Sequence, residues 1–329
     1  MRGDTADERE APAAARGPSP ARPPLAVRLC NWVGEVVLAV PTLRRLEAAG
    51  YELRLLGKGW APALLEGAHW PVVVRAHGLL AATRQLAELR RGLAERTAAG
   101  RRPAALLLTK SFSSALEARL GGWDAVGYAR DGRSFLLAQS YALPRFAHAS
   151  HAYWHLASRF LGSDAPYPTA VTLTPSAAQA ARAAALLESH GLAARPYLVL
   201  CPFSGADDRE ARKVWPGFAA LGRRLAERGV AALVCPGPGE DARAEALLPG
   251  ATRLGGLDLG AYGALMARAQ AVVANDTGPG HLAAGVGARL VAVYGPRSVA
   301  AWRPLGARVT LLHSPGWASV DEVLAAALG

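Results

Sequence analysis

The sequence predicts an α/β protein built as two successive doubly wound units, each a parallel sheet covered by helices. Three observations carry this expectation. Short apolar runs alternate with amphipathic stretches of about 10–15 residues, the pattern of parallel strands joined by helical crossovers. That pattern breaks at residues 163–175, where Pro166, Pro168 and Pro175 stand among polar residues, and then restarts. The residues with chemical potential fall in turns that follow strands, where open parallel sheets bind their ligands. At 329 residues the chain has room for two domains of about 150 residues each.

Residues 1–24 are rich in Ala, Pro, Arg and acidic side chains without any apolar period, and read as a disordered tail. Leu25–Cys30 (LAVRLC) reads as a buried strand, Asn31–Gly34 as a turn, and Glu35–Ala49 as a helix that Gly50 stops. Strand Tyr51–Leu56, helix Trp60–Glu66, strand Val72–Val74, helix Leu79–Ala98 and strand Ala104–Leu108 follow. Helices at Ser113–Leu120 and Ala149–Leu161 complete the first unit, residues 25–165. The second, residues 166–329, opens with helix Ser176–His190, strand Tyr197–Cys201, helix Gly217–Glu227, strand Ala231–Cys235 and helix Glu240–Leu247. It closes with helix Leu259–Arg268, strand Ala271–Ala274, helix Gly280–Val286, strand Leu290–Val293 and helix Val320–Leu328.

Composition excludes several classes. With 51% hydrophobic and 19% charged residues, the chain is not wholly disordered, and no apolar run reaches the roughly 18 residues of a membrane span. Asp4, Asp7, Glu8, Glu10 and five prolines leave no apolar core for a secretory signal in the first 24 residues, so a cytoplasmic protein is expected. Cys30, Cys201 and Cys235 lie far apart without zinc spacing, and read as reduced core thiols. The net charge of +11 is mostly arginine, Lys58, Lys110 and Lys213 being the only lysines. Residues 1–164 hold 22 basic and 14 acidic side chains, a net of +8, against 15 and 12 in the remainder. Such a balance suits an anionic partner (a phosphorylated glycolipid, a membrane surface or a nucleic acid) or, equally, an arginine-rich chain with a scattered basic surface. No block of consecutive basic residues or aromatic-interleaved basic motif marks a nucleic-acid arm, and no nucleic-acid partner is expected.

The strongest segment is VVANDTGPGHLAAGVGARLVAVY, residues 272–294. An apolar strand ends at Asn275-Asp276, and Thr277-Gly278-Pro279-Gly280 turns into a helix containing His281. Glycines let backbone amides approach a ligand, Thr277 adds a hydroxyl, and amides at a helix start favour anionic oxygens. Asp276 would repel a bare phosphate and better serves to order the turn. As spacing alone, this is equally an ordinary capped turn. A second turn, Pro202-Phe203-Ser204-Gly205, leads to Arg212-Lys213-Val214-Trp215-Pro216. Lys213 is either a point charge for a diphosphate or an exposed loop lysine. In a third, Pro236-Gly237-Pro238-Gly239-Glu240, Glu240 either accepts bonds from ribose hydroxyls or favours the helix N-terminus. In the first unit, Gly34 permits a tight turn and Glu35 offers either a general base at the cleft or a dipole-stabilised glutamate. His148, His151 and His155 share a helix face at i, i+3 and i+7, where packing or acceptor contact is favoured over a metal. No DxD motif that would hold a magnesium–diphosphate is present.

Taken together and in this order, the motifs NWVGEVVLAVPTLRRL, KVWPGFAALGRRLAERG and NDTGPGHLAAGVGARLVAVYGP resemble glycosyltransferase family 9, the bacterial ADP-heptose:lipopolysaccharide heptosyltransferases. The resemblance runs from about residue 25 to the end. It implies a GT-B fold, two Rossmann-like domains across a cleft, with the acceptor on the first and the nucleotide-sugar on the second. It also implies metal-independent inverting transfer of heptose from ADP-heptose to the lipopolysaccharide inner core, with no cofactor. Carried across by motif, Asp276, Thr277, Gly278 and His281 form the diphosphate turn, Lys213 with Ser204 and Gly205 contacts phosphate, and Glu240 binds the nucleoside. Asn31, Trp32 and His151 are expected on the acceptor side. The family's base is aspartate in a Gly-Asp pair; here the pair is Gly34-Glu35, which keeps the carboxylate on a longer arm. Part of the positive charge is expected to hold the chain peripherally at the inner face of the membrane. Two alternatives stand beside this reading: a related glycosyltransferase with another sugar or acceptor, and a catalytically weak nucleotide-binding protein of the same fold.

Overall fold

The computed structural model describes residues 23–94, 103–203, 214–296 and 299–329. The first unit runs β1 (Pro24–Arg28), α1 (Val33–Ala48), β2 (Glu52–Gly57), α2 (Ala61–Leu65), β3 (Val72–Val74), α3 (Leu79–Ala94), β4 (Ala104–Leu107), α4 (Phe112–Leu120), β5 (Asp124–Tyr128), β6 (Gln139–Tyr141) and α5 (Ala149–Leu161). The second runs α6 (Ala177–Ser189), β7 (Tyr197–Cys201), α7 (Phe218–Glu227), β8 (Ala231–Val234), α8 (Asp241–Leu247), β9 (Thr252–Arg253), α9 (Leu259–Arg268), β10 (Ala271–Ala274), α10 (Gly278–Gly285), β11 (Leu290–Tyr294), β12 (Val309–His313) and α11 (Val320–Leu328).

Two six-stranded sheets result, ordered β3-β2-β1-β4-β5-β6 and β12-β11-β10-β7-β8-β9, with every pairing parallel. Strand order reverses between β1 and β4 in the first sheet and between β7 and β10 in the second, so each sheet has a switch point at the carboxyl ends of its central strands. Helices cover both faces, which is why the central strands read as continuous apolar runs: β7, β10 and β11 are buried at every position.

Four strands exceed the sequence expectation: β5, β6, β9 and β12. The last three lie at sheet edges, where half-exposed residues such as Gln139, Thr252 and Thr310 dilute the apolar signal. β5 is interrupted by Gly127, where a side chain would press on the Arg133 guanidinium. Helices α1 and α10 each begin two residues before the expected start, so Val33-Gly34 and Gly278-Pro279 lie in first turns instead of in the preceding loops. Of the tail expected at residues 1–24, residues 1–22 lie outside the described residues and Pro24 already belongs to β1; the end expected for α3 at Ala98 lies outside them as well.

The halves meet along α1 and α10, and one apolar core continues from the first sheet through this seam into the second. Close approach depends on missing side chains. A Cβ on Gly34 would stand 2.6 Å from His281 Cδ2, and one on Gly278 would stand 3.0 Å from Val33 Cβ. Polar contacts fasten the rest of the boundary: Ser176 Oγ donates to Glu66 Oε1 at 2.7 Å, Gln179 Nε2 to the Ala63 carbonyl at 2.7 Å, and the Ala149 amide to the Ala301 carbonyl at 2.8 Å. Gly34→Val should therefore force α1 and α10 apart and lower stability by about 2 kcal/mol, read as a fall in the unfolding midpoint. An unchanged midpoint would refute the close-packed seam.

Candidate functional site

At the first switch point, the exits of β1 and β4 form a small cavity of about 170 Å³ lined by Cys30, Asn31, Trp32 and Glu35 on one side and Thr109, Lys110 and Ser111 on the other. Glu35 is half-buried in the first turn of α1, where the helix amides favour a negative charge. The Tyr153 hydroxyl, brought in by α5, donates to Glu35 Oε1 at 3.2 Å. Burial nevertheless dominates and holds the Glu35 carboxyl above the ordinary range, while Tyr153, Lys110 and the Trp32 and Asn31 amides pull it down. The same burial pushes the neighbouring Cys30 thiol up to about 12, so it is protonated at neutral pH and inert as a nucleophile.

The loop carrying Lys110 is held from behind by Arg133. This side chain is fully buried, and its guanidinium donates to the carbonyls of Tyr128 at 2.9 Å, Thr109 at 2.8 Å and Ser111 at 3.0 Å, and to Ser114 Oγ at 3.1 Å. Burial lowers it to about 10, still charged at pH 7. The carbonyls on both sides of Lys110 are thereby fixed, and the lysine is presented toward Glu35 and Tyr153, its Nζ 5.9 Å from the Tyr153 ring centre.

Beside this cavity a larger one of about 690 Å³ is lined by Arg28, Trp32, Lys58, Arg75, His77 and the start of α4. It is predominantly basic. Glu117 is the one carboxylate in its lining, and it is ion-paired with Arg75. Asn31 accepts from Arg28 at 3.1 Å, and Trp32 lies exposed beneath the Lys58 ammonium, 5.5 Å from the ring centre.

Across the seam, the second switch point is organised by Asn275. Fully buried, it accepts the Trp215 amide at 2.9 Å and donates to the Pro202 carbonyl at 2.8 Å, tying the exit of β10 to the exit of β7 and the entry of α7. Asp276 accepts from the Tyr294 hydroxyl at 3.4 Å, which gives it the turn-ordering geometry. Thr277 is the N-cap of α10, but its hydroxyl reaches the Asn275 carbonyl at 3.5 Å and makes no capping bond to the helix amides. That leaves the turn suited to anionic oxygens. His281 packs on Gly34 with its Nδ1 buried and unpartnered; burial drives its pKa down to about 4, and it is neutral at pH 7.

The structure thus brings Glu35, Asn31 and Trp32 together at the first switch point and sets Gly278 and His281, from the turn and helix that follow Asp276 and Thr277, against the neighbouring Val33 and Gly34. Glu240 stands apart at the β8–α8 turn, where its Oε2 accepts the Gly237 amide at 2.8 Å and so stiffens that turn. Ser204, Gly205 and Lys213 lie outside the described residues. His151 is not brought to the cavities. It stacks on Tyr167 with centroids 4.0 Å apart, because α5 turns Tyr153 toward Glu35 and a residue two positions earlier faces elsewhere. The three histidines do lie on one side of α5, the His148 and His151 rings 5.8 Å apart and His151 and His155 both against Phe146, but each is engaged in packing or capping. His148 is the N-cap, accepting the Ser150 amide, and His155 bonds the Tyr128 hydroxyl at 2.9 Å. Among the described residues no group of three potential metal ligands converges.

Sequence reasoning did not single out Lys110, Tyr153, Arg133 or Asn275 as members of the site. For Lys110 a signal existed, a scarce lysine just after a strand. Asn275 stood beside a noted residue. Arg133 carried no signal, since its partners are carbonyls.

Comparisons with known proteins agree with this fold. The family model described as glycosyltransferase family 9 (heptosyltransferase) matches residues 90–325. Among solved structures, Escherichia coli ADP-heptose lipopolysaccharide heptosyltransferase II is similar with a TM-score of 0.75 at 21% identity, covering 92% of this chain and 98% of that one. A family 9 glycosyltransferase from Veillonella parvula gives 0.76 at 20% identity over 90% and 87%. E. coli heptosyltransferase WaaC with ADP gives 0.67 at 20% identity over 92% and 98%. These likenesses establish the two-sheet GT-B fold. A search of the curated proteins found no match.

Arg133→Met should strand three carbonyls and cost about 3 kcal/mol, measured by urea unfolding. Arg133→Lys should recover little, because one ammonium cannot span the four acceptors. Full stability in the lysine variant would show that the fork of hydrogen bonds is not what holds the loop.

Proposed function

The chain belongs to glycosyltransferase family 9, and on that premise we propose that it transfers heptose from ADP-heptose to a hydroxyl of the lipopolysaccharide inner core, with inversion and without a metal ion. One observation carries the reading: a half-buried carboxylate, Glu35, in a first turn that abuts the first turn of α10, with one oxygen engaged by Tyr153.

In this mechanism Glu35 accepts the proton of the acceptor hydroxyl as that oxygen attacks the anomeric carbon. The bond from that carbon to the ADP oxygen breaks on the opposite face, and the configuration inverts. The base is useful because its carboxyl lies above the ordinary range, closer to working pH. Charge developing on departing ADP would meet the α10 amides, the Thr277 hydroxyl and the Lys213 ammonium, the role a metal ion plays elsewhere. Asp276 orders the turn through Tyr294, and Glu240 serves the nucleoside side. The basic cavity lined by Arg28, Lys58 and Arg75 suits a phosphorylated and carboxylated acceptor.

Glu35→Gln should lose turnover by about a hundredfold or more yet keep thermal stabilisation by ADP, with and without EDTA. Near-normal turnover would remove Glu35 as the base. Stabilisation by UDP or GDP in place of ADP would replace the donor. No stabilisation by any nucleotide would abandon transfer for a binding role, and sensitivity to EDTA would end the metal-free mechanism.

The pH profile follows from the direction of the Glu35 shift. A base works only when deprotonated, so activity falls as pH drops through a carboxyl titration displaced upward by burial. Tyr153→Phe removes a bond that favours the charged form, and should move the acid limb of kcat/KM to still higher pH. A limb that stays in place would mean that Tyr153 does not tune the base.

A further inference from the structure

A further cavity, of about 520 Å³, lies in the second unit by the amino ends of β7 and β8, away from the switch point of that sheet. Its walls are α7, the first residues of β8, the loop between α6 and β7, and the connection from α8 to β9. Pairing between β8 and the two-residue β9 is confined to Leu233 and Val234. Pro249 and Gly250, which precede β9, do not extend that ladder, so Ala231 and Ala232 open onto the cavity. Leu192, Val230 and Leu248 give it apolar surface. Its ionisable side chains are Arg195, Arg223 and His190, with no carboxylate in the lining. Neighbouring arginines are paired, Arg224 with Asp321 at 2.6 Å and Arg253 with Glu245 at 3.6 Å. The guanidiniums of Arg195 and Arg223, by contrast, have no hydrogen-bond or ion-pair partner among the described residues. His190 is anchored through Nδ1, 2.9 Å from the Leu186 carbonyl.

A pocket of this size with apolar walls and two unpaired guanidiniums matches a small ligand that has an apolar body and a doubly charged anionic end. We propose that this cavity binds a small organic phosphate monoester, with an aromatic or short aliphatic body, and that its occupancy is felt at the second switch point. Arg195 and Arg223 hold the phosphate, and the body lies against Leu192, Val230 and Leu248. The elements that wall the cavity carry the turns of the switch-point end at their other ends. The chain enters α7 from Trp215, whose amide donates to Asn275, and β8 leads into the turn that Glu240 stiffens through the Gly237 amide. A ligand that bridges α7 and the α8–β9 connection therefore ties together the two elements that shape those turns. Any difference this makes to nucleotide affinity is returned by the nucleotide to the phosphate monoester, because coupling between two sites is reciprocal. The coupling rests on the reading that a nucleotide binds at these turns; the binding of the monoester does not.

The test is calorimetric titration of the full chain with phenyl phosphate, and with inorganic phosphate and benzyl alcohol as its anionic and apolar halves. It compares the wild type with Arg195→Ala/Arg223→Ala, which removes the charge, and with Ala226→Phe, which fills the space from α7 and leaves both arginines in place. All three positions are exposed, and unchanged unfolding midpoints confirm that the variants fold. The wild type should bind phenyl phosphate saturably and more tightly than either half, and each variant should bind it about tenfold more weakly. Saturating phenyl phosphate should change the affinity of the wild type for ADP by about fivefold and then have no further effect. Absence of saturable binding overturns the proposal, and so does binding that neither variant weakens. An effect on ADP that grows without limit is competition at the switch point and overturns it too, while ADP affinity that does not change overturns the coupling. Failure of the wild type to bind ADP at all, with phenyl phosphate still bound and still lost in the variants, would count against the functional reading and not against the cavity.

Discussion

Two helix N-termini meeting without a Cβ between them is the constraint on which the rest of the site depends. Gly34 lets the His281 ring lie against the α1 backbone, and Gly278 lets Val33 do the same from the other side. Each helix begins at the switch point of its own sheet, so the contact joins the two places where these sheets present loop residues. Glu35 and the Thr277 turn lie on opposite sides of one seam for that reason. Exclusion of water along it has a second effect: it raises the Glu35 carboxyl and keeps His281 neutral, so burial sets the protonation of both groups.

Each half relies on one buried polar side chain to shape its loops. In the first, Arg133 gathers carbonyls from β5 and from the loop after β4 and fixes the backbone around Lys110. In the second, Asn275 joins the turn after β10 to both ends of the β7–α7 connection through its two amide atoms. Both are satisfied interior groups in a low-dielectric setting, where a hydrogen bond is strong and an unmade one is costly. The residues expected to touch ligands are therefore carried on loops, but on loops whose conformation is fixed from inside the fold.

Much of this was legible in the amino-acid order. Alternating apolar runs and helices foretold the two parallel sheets, and the strand-to-helix turns pointed to Glu35 and Thr277 because parallel sheets have only one end at which ligands gather. The edge strands escaped because they are short and half-wet, and β5 because Gly127 interrupts it to make room for Arg133. The helix starts were placed late at Glu35 and Gly280, since a glycine before each reads locally as a turn although the backbone is already helical. Tyr153 was hidden by periodicity: among His151, Trp154 and His155 nothing in the order says which side chain α5 turns inward. Arg133 could not be read at all, because its partners are main-chain carbonyls that every residue possesses.

The continuous core through α1 and α10 makes the two halves poor candidates for independent exchange. A second half borrowed from a relative would bring its own α10, and unless its small residues and its histidine matched the recipient α1, the graft would fail at the seam before any question of substrate arose. Changes in sugar preference are therefore open chiefly to the loops at the carboxyl ends of the strands, while the helices at the boundary have to diverge as a pair.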